Sequence, residues 1–175
     1  MKFKLFSLPL FFMAAAINFS YGQAHEQGDI ALSPGISLGS YGFYRNSCDR
    51  FGVPLVLYAD FSPHDYWSVG PYLGVFIGDG AAFNFGGRGN FHLLQILDDN
   101  ISSDLMTDVL DVYLSMYLGF EATSHYCYKR NGNAFRGRIG AMAGLRWYFV
   151  EPVALMFELG GPPMGFTTFG VTFKL

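Results

Sequence analysis

From Asp29 to the final Leu175 the chain repeatedly alternates apolar residues with polar or small ones at a period of two. A β-strand sends successive side chains to opposite faces, so this pattern gives each strand one greasy and one polar side. The segments are Asp29–Ser40, Val53–Phe61, Tyr66–Ile77, Phe83–Gln95, Val109–Glu121, Arg136–Phe149, Val153–Gly160 and Phe166–Leu175. Most approach or exceed the roughly 9 to 11 residues that a tilted strand needs to cross a bilayer. In the fifth, Leu110, Val112, Leu114, Met116, Leu118 and Phe120 oppose Asp111, Tyr113, Ser115, Tyr117, Gly119 and Glu121. The sixth sets Ile139, Ala141, Ala143, Leu145, Trp147 and Phe149 against Arg138, Gly140, Gly144, Arg146 and Tyr148.

The polar side decides which face points inward. A soluble barrel covers its exterior with charges and fills its interior with apolar side chains. Here the strand charges share a face with glycine, tyrosine and serine, and the opposite face is apolar throughout. The chain has 22 Gly and is 18% aromatic but only 14% charged, against about 12 Gly at average usage. Such a glycine-rich ionic face suits the narrow lumen of eight strands better than a water-exposed wall. The expected fold is therefore all-β, an eight-stranded antiparallel up-and-down transmembrane barrel with a side-chain-filled lumen. A soluble, secreted, calycin-like binding barrel is the alternative with the faces exchanged.

Met1 to Gly22 reads as an export signal, with Lys2 and Lys4 ahead of the apolar run Leu5–Ala16 and a small-x-small site at Ser20-Tyr21-Gly22. The expected division is a cleaved signal over 1–22 and one barrel domain over 23–175. Beyond Gly22 no apolar run is long enough for a membrane-spanning helix, which needs about 18 or more residues. The formal charge of −3 offers no basic field for a phosphate backbone, so nucleic acid is not an expected partner.

Some features strain this scheme. Pro34, Pro54 and Pro71 fall inside proposed strands and predict bulges or strand starts. Leu105, Met106, Val109, Leu110 and Tyr113 also fit helical spacing, which leaves a helical turn around Ser103–Val109 open beside the strand reading. Short turns are expected at Pro63–Asp65 and Val150–Pro152, with Trp67, Trp147, Phe149 and Phe173 in an aromatic girdle at that rim.

The lumen charges form the main candidate site. Pairing strands five and six around Lys129-Arg130 sets Glu121 opposite Arg138 and Asp111 near Arg146. Two neutral layers are expected: Arg88, Glu121, Arg138 and Glu158 toward the outer mouth, and Asp60, Asp111, Arg146 and Lys174 toward the other. Such charges could gate a conductance, but a plug neutralised by mutual pairing is the expected arrangement. Cys48 and Cys127 sit on two outward loops, where an oxidising compartment favours a disulfide. Two cysteines and scattered histidines do not spell a metal site, and no cofactor motif is present: GDGAAFNFGG is followed by neither the lysine nor the helix of a phosphate loop. Ser124, His125 and Glu121 hold the groups of an acyl-transfer site. Adjacent residues of a strand diverge, so a non-enzymatic chain is expected over a lipid-modifying enzyme. The loop residues Tyr41, Phe43, Tyr44, Arg45, Tyr126, Tyr128, Lys129 and Arg130 suit lipopolysaccharide, protein or glycan contact.

Gly137–Leu175 carries GRIGAMAGLRWYFVEPVALMFELGG and closes on FGVTFKL, and GGRGNFHL occurs at Gly86–Leu93. These segments resemble small outer-membrane β-barrel proteins of the OmpA/OmpX and "porin family" type, especially the Bacteroidetes versions. The resemblance implies a monomer in the outer membrane of a Gram-negative bacterium after Sec-type export, in contact with lipid and lipopolysaccharide. It also implies insertion by the assembly machinery, which reads Val171, Phe173 and Leu175 of the last strand. Many such proteins end in Phe, whereas this chain ends in Leu175.

Overall fold

A computed structural model describes residues 24–38, 52–78, 80–101, 106–123, 134–161 and 165–175. The signal segment, both cysteines, Ser124, His125 and the aromatic and basic loop residues lie outside the described residues. Eight strands run in order: β1 Ile30–Leu38, β2 Gly52–His64, β3 Trp67–Gly78, β4 Gly80–His92, β5 Leu110–Thr123, β6 Ala134–Val150, β7 Val153–Gly161 and β8 Thr167–Lys174. Each pairs antiparallel with its sequence neighbour, and β1 pairs with β8, from Ala31 opposite Lys174 to Leu38 opposite Thr167, closing the barrel. Closure gives every strand two hydrogen-bonded neighbours and so removes the unpaired edges of an open sheet.

The two faces separate as the alternation requires. Leu114, Leu118, Ile139, Leu145, Trp147 and Phe169 are exposed on the outer wall, whereas Glu158 and Arg146 are 0% and 1% exposed. Along β5, Leu110 to Phe120 spans ten steps of about 3.3 Å each; tilted by about 40°, this raises an apolar band about 25 Å tall. Trp67, Trp147, Phe149 and Phe173 lie on the outer wall near the short-turn rim, and Phe91 lies beside Trp67 in the ladder. Toward the other rim, Phe120 stacks on Phe135 with ring centroids 5.0 Å apart, and Phe85 stands 6.1 Å from Phe120.

The proline expectation is corrected. Pro34 pairs with Leu57, Pro54 with Phe76 and Pro71 with Gly87, all inside unbroken registers. The shifts fall instead between Phe61 and His64 and between Tyr148 and Val150, beside the short turns. A proline removes one N–H from one ladder, and in a closed sheet the flanking pairs hold the register across that gap.

The helix also lies elsewhere. Its residues, Leu93–Ile101, follow β4 directly, so the fourth strand stops at His92 and Leu93 and Gln95 belong to α1. Met106–Val109 forms a turn, and residues 102–105 lie outside the described residues. Leu93, Leu94, Ile96 and Leu97 abandon the period of two, and Asn100 Nδ2 caps the Ile96 carbonyl at 2.6 Å. Asp99 and Asp98 tether α1 to neighbouring turns: Tyr66 donates to Asp99 at 2.8 Å and Thr107 to Asp98 at 3.2 Å.

The segment before β1 covers the short-turn mouth. Ala24 packs against Tyr148 and Ala154, and its N–H donates to the Thr107 carbonyl at 2.8 Å. The Gln27 N–H donates to Asp65 at 2.8 Å, and the Gly28 N–H to the Ser62 carbonyl at 2.7 Å. Gly28 sits at φ +94°, where a side chain would be strained.

Candidate functional site

The lumen holds one continuous chain of alternating charge contributed by five strands. From β7, Glu158 receives Arg88 NH1 at 3.1 Å, and Arg88 Nε stands 2.9 Å from Asp60 of β2. Asp60 also accepts from Arg146 of β6 at 2.6 Å, and the other end of that guanidinium lies 3.5 Å from Asp111 of β5. Asp111 in turn is 2.7 Å from Nδ1 of His92, the last residue of β4.

Tyrosines complete this chain. Tyr113 and Tyr117 donate to the two oxygens of Glu158 at 2.9 and 3.1 Å, and Tyr117 accepts from Arg88 at 3.0 Å. The Arg88 guanidinium lies 4.1 Å from the Tyr58 ring centroid and that of Arg146 lies 4.6 Å from Tyr113, placing cations over aromatic faces. Smaller polar pairs fill the remaining width: Ser33 with Thr172 at 2.8 Å, Ser37 with Thr168 at 2.7 Å, and Ser115 onto Asn90 at 2.6 Å. Mutual hydrogen bonding of this kind is what makes buried ions tolerable.

One glycine positions the acceptor at the centre. Gly144 lies between Tyr113 on β5 and Glu158 on β7 in the same cross-strand row. A Cβ there would land on the Tyr113 ring, so only glycine lets that ring lie across β6 and reach Glu158. Gly144→Ala is expected to cost about 1–3 kcal/mol through overpacking, read as a lower urea midpoint of the folded form on a cold gel. An unchanged midpoint would show that Tyr113 reaches Glu158 without that gap.

The two-layer arrangement is corrected by these contacts. Arg88 bridges Glu158 to Asp60, which merges the proposed layers. The β5–β6 register pairs Asp111 with Arg146, Gly119 with Arg138 and Glu121 with Arg136, so Glu121 is not directly opposite Arg138. Arg138 still reaches Glu121 diagonally at 2.6 Å, as a separate pair toward the far mouth. Lys174 joins neither layer and pairs with Asp29 at 2.9 Å near the short-turn rim. The layers merge because the long Arg88 side chain crosses the lumen from β4 to β2 and β7, whereas Arg138 and Lys174 each find a carboxylate on or beside a neighbouring strand.

Two histidines that sequence reading left aside belong to the site. The His25 ring stacks on His92 with centroids 3.4 Å apart and an interplanar angle of 13°. His92 Nε2 lies 3.0 Å from Ser68, which accepts from Asn90 at 2.8 Å. Burial, with His92 alongside, pushes the His25 imidazole down to about 4, so it is neutral near pH 7. At the exposed turn, donation to Asp99 raises the Tyr66 hydroxyl above its ordinary value. No local motif links His25, His92 and Asp111; the only sequence signal was the inward parity of the latter two.

Glu121, the carboxylate of the acyl-transfer candidate, is occupied by Arg138. An apolar groove of about 740 Å³ lies on the outer wall, lined by Trp67, Phe91, Leu114, Met116, Ala143 and Leu159 among others. Small Ala141, Ala143 and Gly89 between bulky neighbours create it.

An all-next-neighbour antiparallel barrel, closed on itself, with ions inside and aliphatic residues outside, defines the class of small transmembrane β-barrels. No protein-family model and no curated protein sequence matches the chain. Among solved structures, the N-terminal β-barrel domain of Pseudomonas aeruginosa OprF matches with 14% identity and a TM-score of 0.61, covering 85% of this chain and 98% of that one. A de novo designed transmembrane β-barrel matches with 16% identity, a TM-score of 0.50 and coverage of 86% and 98%. The outer membrane protein Ail of Yersinia pestis, in a phospholipid bilayer nanodisc, aligns at 12% identity with a TM-score of 0.45, covering 85% and 100%. The chain thus has the fold of the small OmpA/OmpX-like outer-membrane barrels.

Proposed function

We propose that this protein is an integral outer-membrane barrel, non-enzymatic and monomeric, that contributes to membrane integrity or to surface contact through its extracellular loops. The observation carrying this reading is the reversed polarity of the wall: Leu114, Leu118 and Ile139 are 48%, 71% and 76% exposed while Asp60, Arg88, Arg146 and Glu158 are buried inside. Exposing such an apolar band to water would be unfavourable by about 25 cal/mol per Å², so hydrocarbon is its natural solvent. The rings of aromatics toward both rims suit the two bilayer interfaces, and the apolar groove suits acyl chains.

The filled lumen supports a structural role over a channel. Eight strands leave an interior just wide enough for side chains, and here paired ions and tyrosines occupy it. Val171, Phe173 and Leu175 supply the alternating final strand for the assembly machinery. Lipid and lipopolysaccharide are the partners of the wall, and a protein or glycan that of the loops.

Cell fractionation with gel electrophoresis tests this reading. The protein is expected in the outer-membrane fraction, with unboiled samples migrating differently from boiled ones. Recovery as a soluble barrel without detergent would favour the calycin-like alternative and overturn the proposal. In planar bilayers the folded protein is expected to show no large steady conductance; one that persists would contradict the filled lumen.

A further inference from the structure

At the short-turn mouth the lumen ends in two imidazoles and a carboxylate from three separate parts of the chain. His25, His92 and Asp111 are all buried, and their ligand atoms lie within 4.8 Å of one another. One of these side chains also presents a buried atom without a hydrogen-bond partner among the described residues, His25 Nε2, while Asp111 Oδ2 faces Arg146 Nη1 at the longer ion-pair distance of 3.5 Å. A cation at this end would give His25 Nε2 a partner and draw the three side chains onto one centre.

We propose that His25, His92 and Asp111 bind one divalent transition-metal ion of the zinc class. Two imidazoles and a carboxylate form a borderline donor set that suits zinc, whereas calcium and magnesium take oxygen ligands. His92 has the outer contact such a ligand needs: with Nδ1 on the metal, its Nε2–H donates to Ser68, which Asn90 holds. The stacked rings must fan apart, because lone pairs in parallel ring planes do not converge. His25 is the group that would turn, since it precedes β1 and gives up for this a stacking contact and a long 3.5 Å contact with Ser62. The bound ion staples the N-terminal segment to β4 and β5. This inference concerns the mouth alone and does not depend on the surroundings of the outer wall.

The test titrates zinc chloride into the untagged, detergent-solubilised protein by calorimetry, with His25→Ala, Asp111→Asn and His64→Ala variants checked for folding by gel mobility. One zinc per chain is expected in the parent and in His64→Ala, with affinity falling at least about tenfold in each of the other two. Amide exchange at Ala24 is expected to slow on zinc addition in the parent and not in His25→Ala, a variant that leaves every strand intact. Absence of saturable binding, zinc lost with His64, or zinc retained in folded His25→Ala would overturn the site. Zinc retained at full affinity in folded Asp111→Asn would take the carboxylate out of the site and overturn it equally.

Discussion

Replacing Arg88 by Met is expected to destabilise the folded barrel by about 3–5 kcal/mol, the largest effect of any single substitution considered. The guanidinium is fully buried and is the common partner of Asp60, Glu158 and Tyr117. Removing it leaves Glu158 with the hydroxyls of Tyr113 and Tyr117, and Asp60 with Arg146 and Asn90, inside the filled lumen. An uncompensated buried charge costs far more than the net worth of the pair it came from. Adding Glu158→Gln to Arg88→Met is expected to recover part of the loss, because an amide in that place carries no charge to strand. The measurement is the urea midpoint of the heat-modifiable band for parent, single and double variants. A single variant within about 1 kcal/mol of the parent, as for an exposed pair, would show that the chain of ions does not hold the interior.

Leu114→Arg is expected to cost about 2–4 kcal/mol in lipid, whereas Leu110→Arg on the same strand costs about 0–1. Both residues face outward, but Leu114 lies near the middle of the apolar band and Leu110 lies beside Trp147 at its rim. A cation at the midplane must leave water entirely, while one at the rim can extend to the interface. Equilibrium unfolding from phospholipid vesicles separates the two positions. Equal costs at both depths would mean that the wall faces a uniform solvent and not a bilayer.

The architecture was legible because its cause is local. A period of two assigns Leu114 outward and Glu158 inward before any partner is known. A slip of one residue would exchange the two faces of a whole strand, so the pattern fixes which residues go together. The strand ends and α1 were less legible. Leu93–Ile101 begins at the residue after β4 ends, and Leu93, with the outward parity of Phe85 and Phe91, extends the strand pattern before the helical spacing emerges. The prolines misled in the other direction: taken singly, Pro54 and Pro71 are poor strand residues, and only closure of the sheet keeps their registers intact.

The strand count and the residues that share a face thus follow from alternation, since a strand sends each side chain to a face determined by its position in the chain, and the glycine-rich, charge-poor make-up of the polar face pointed to the interior. The partners could not follow from it. Arg88 meets Glu158 70 residues away, and His25 stacks on His92 from outside any strand, because the lumen is narrow enough for long side chains to span it. Those distances come into existence only when β1 closes on β8, so the ion chain and the histidine cluster are properties of the closed barrel.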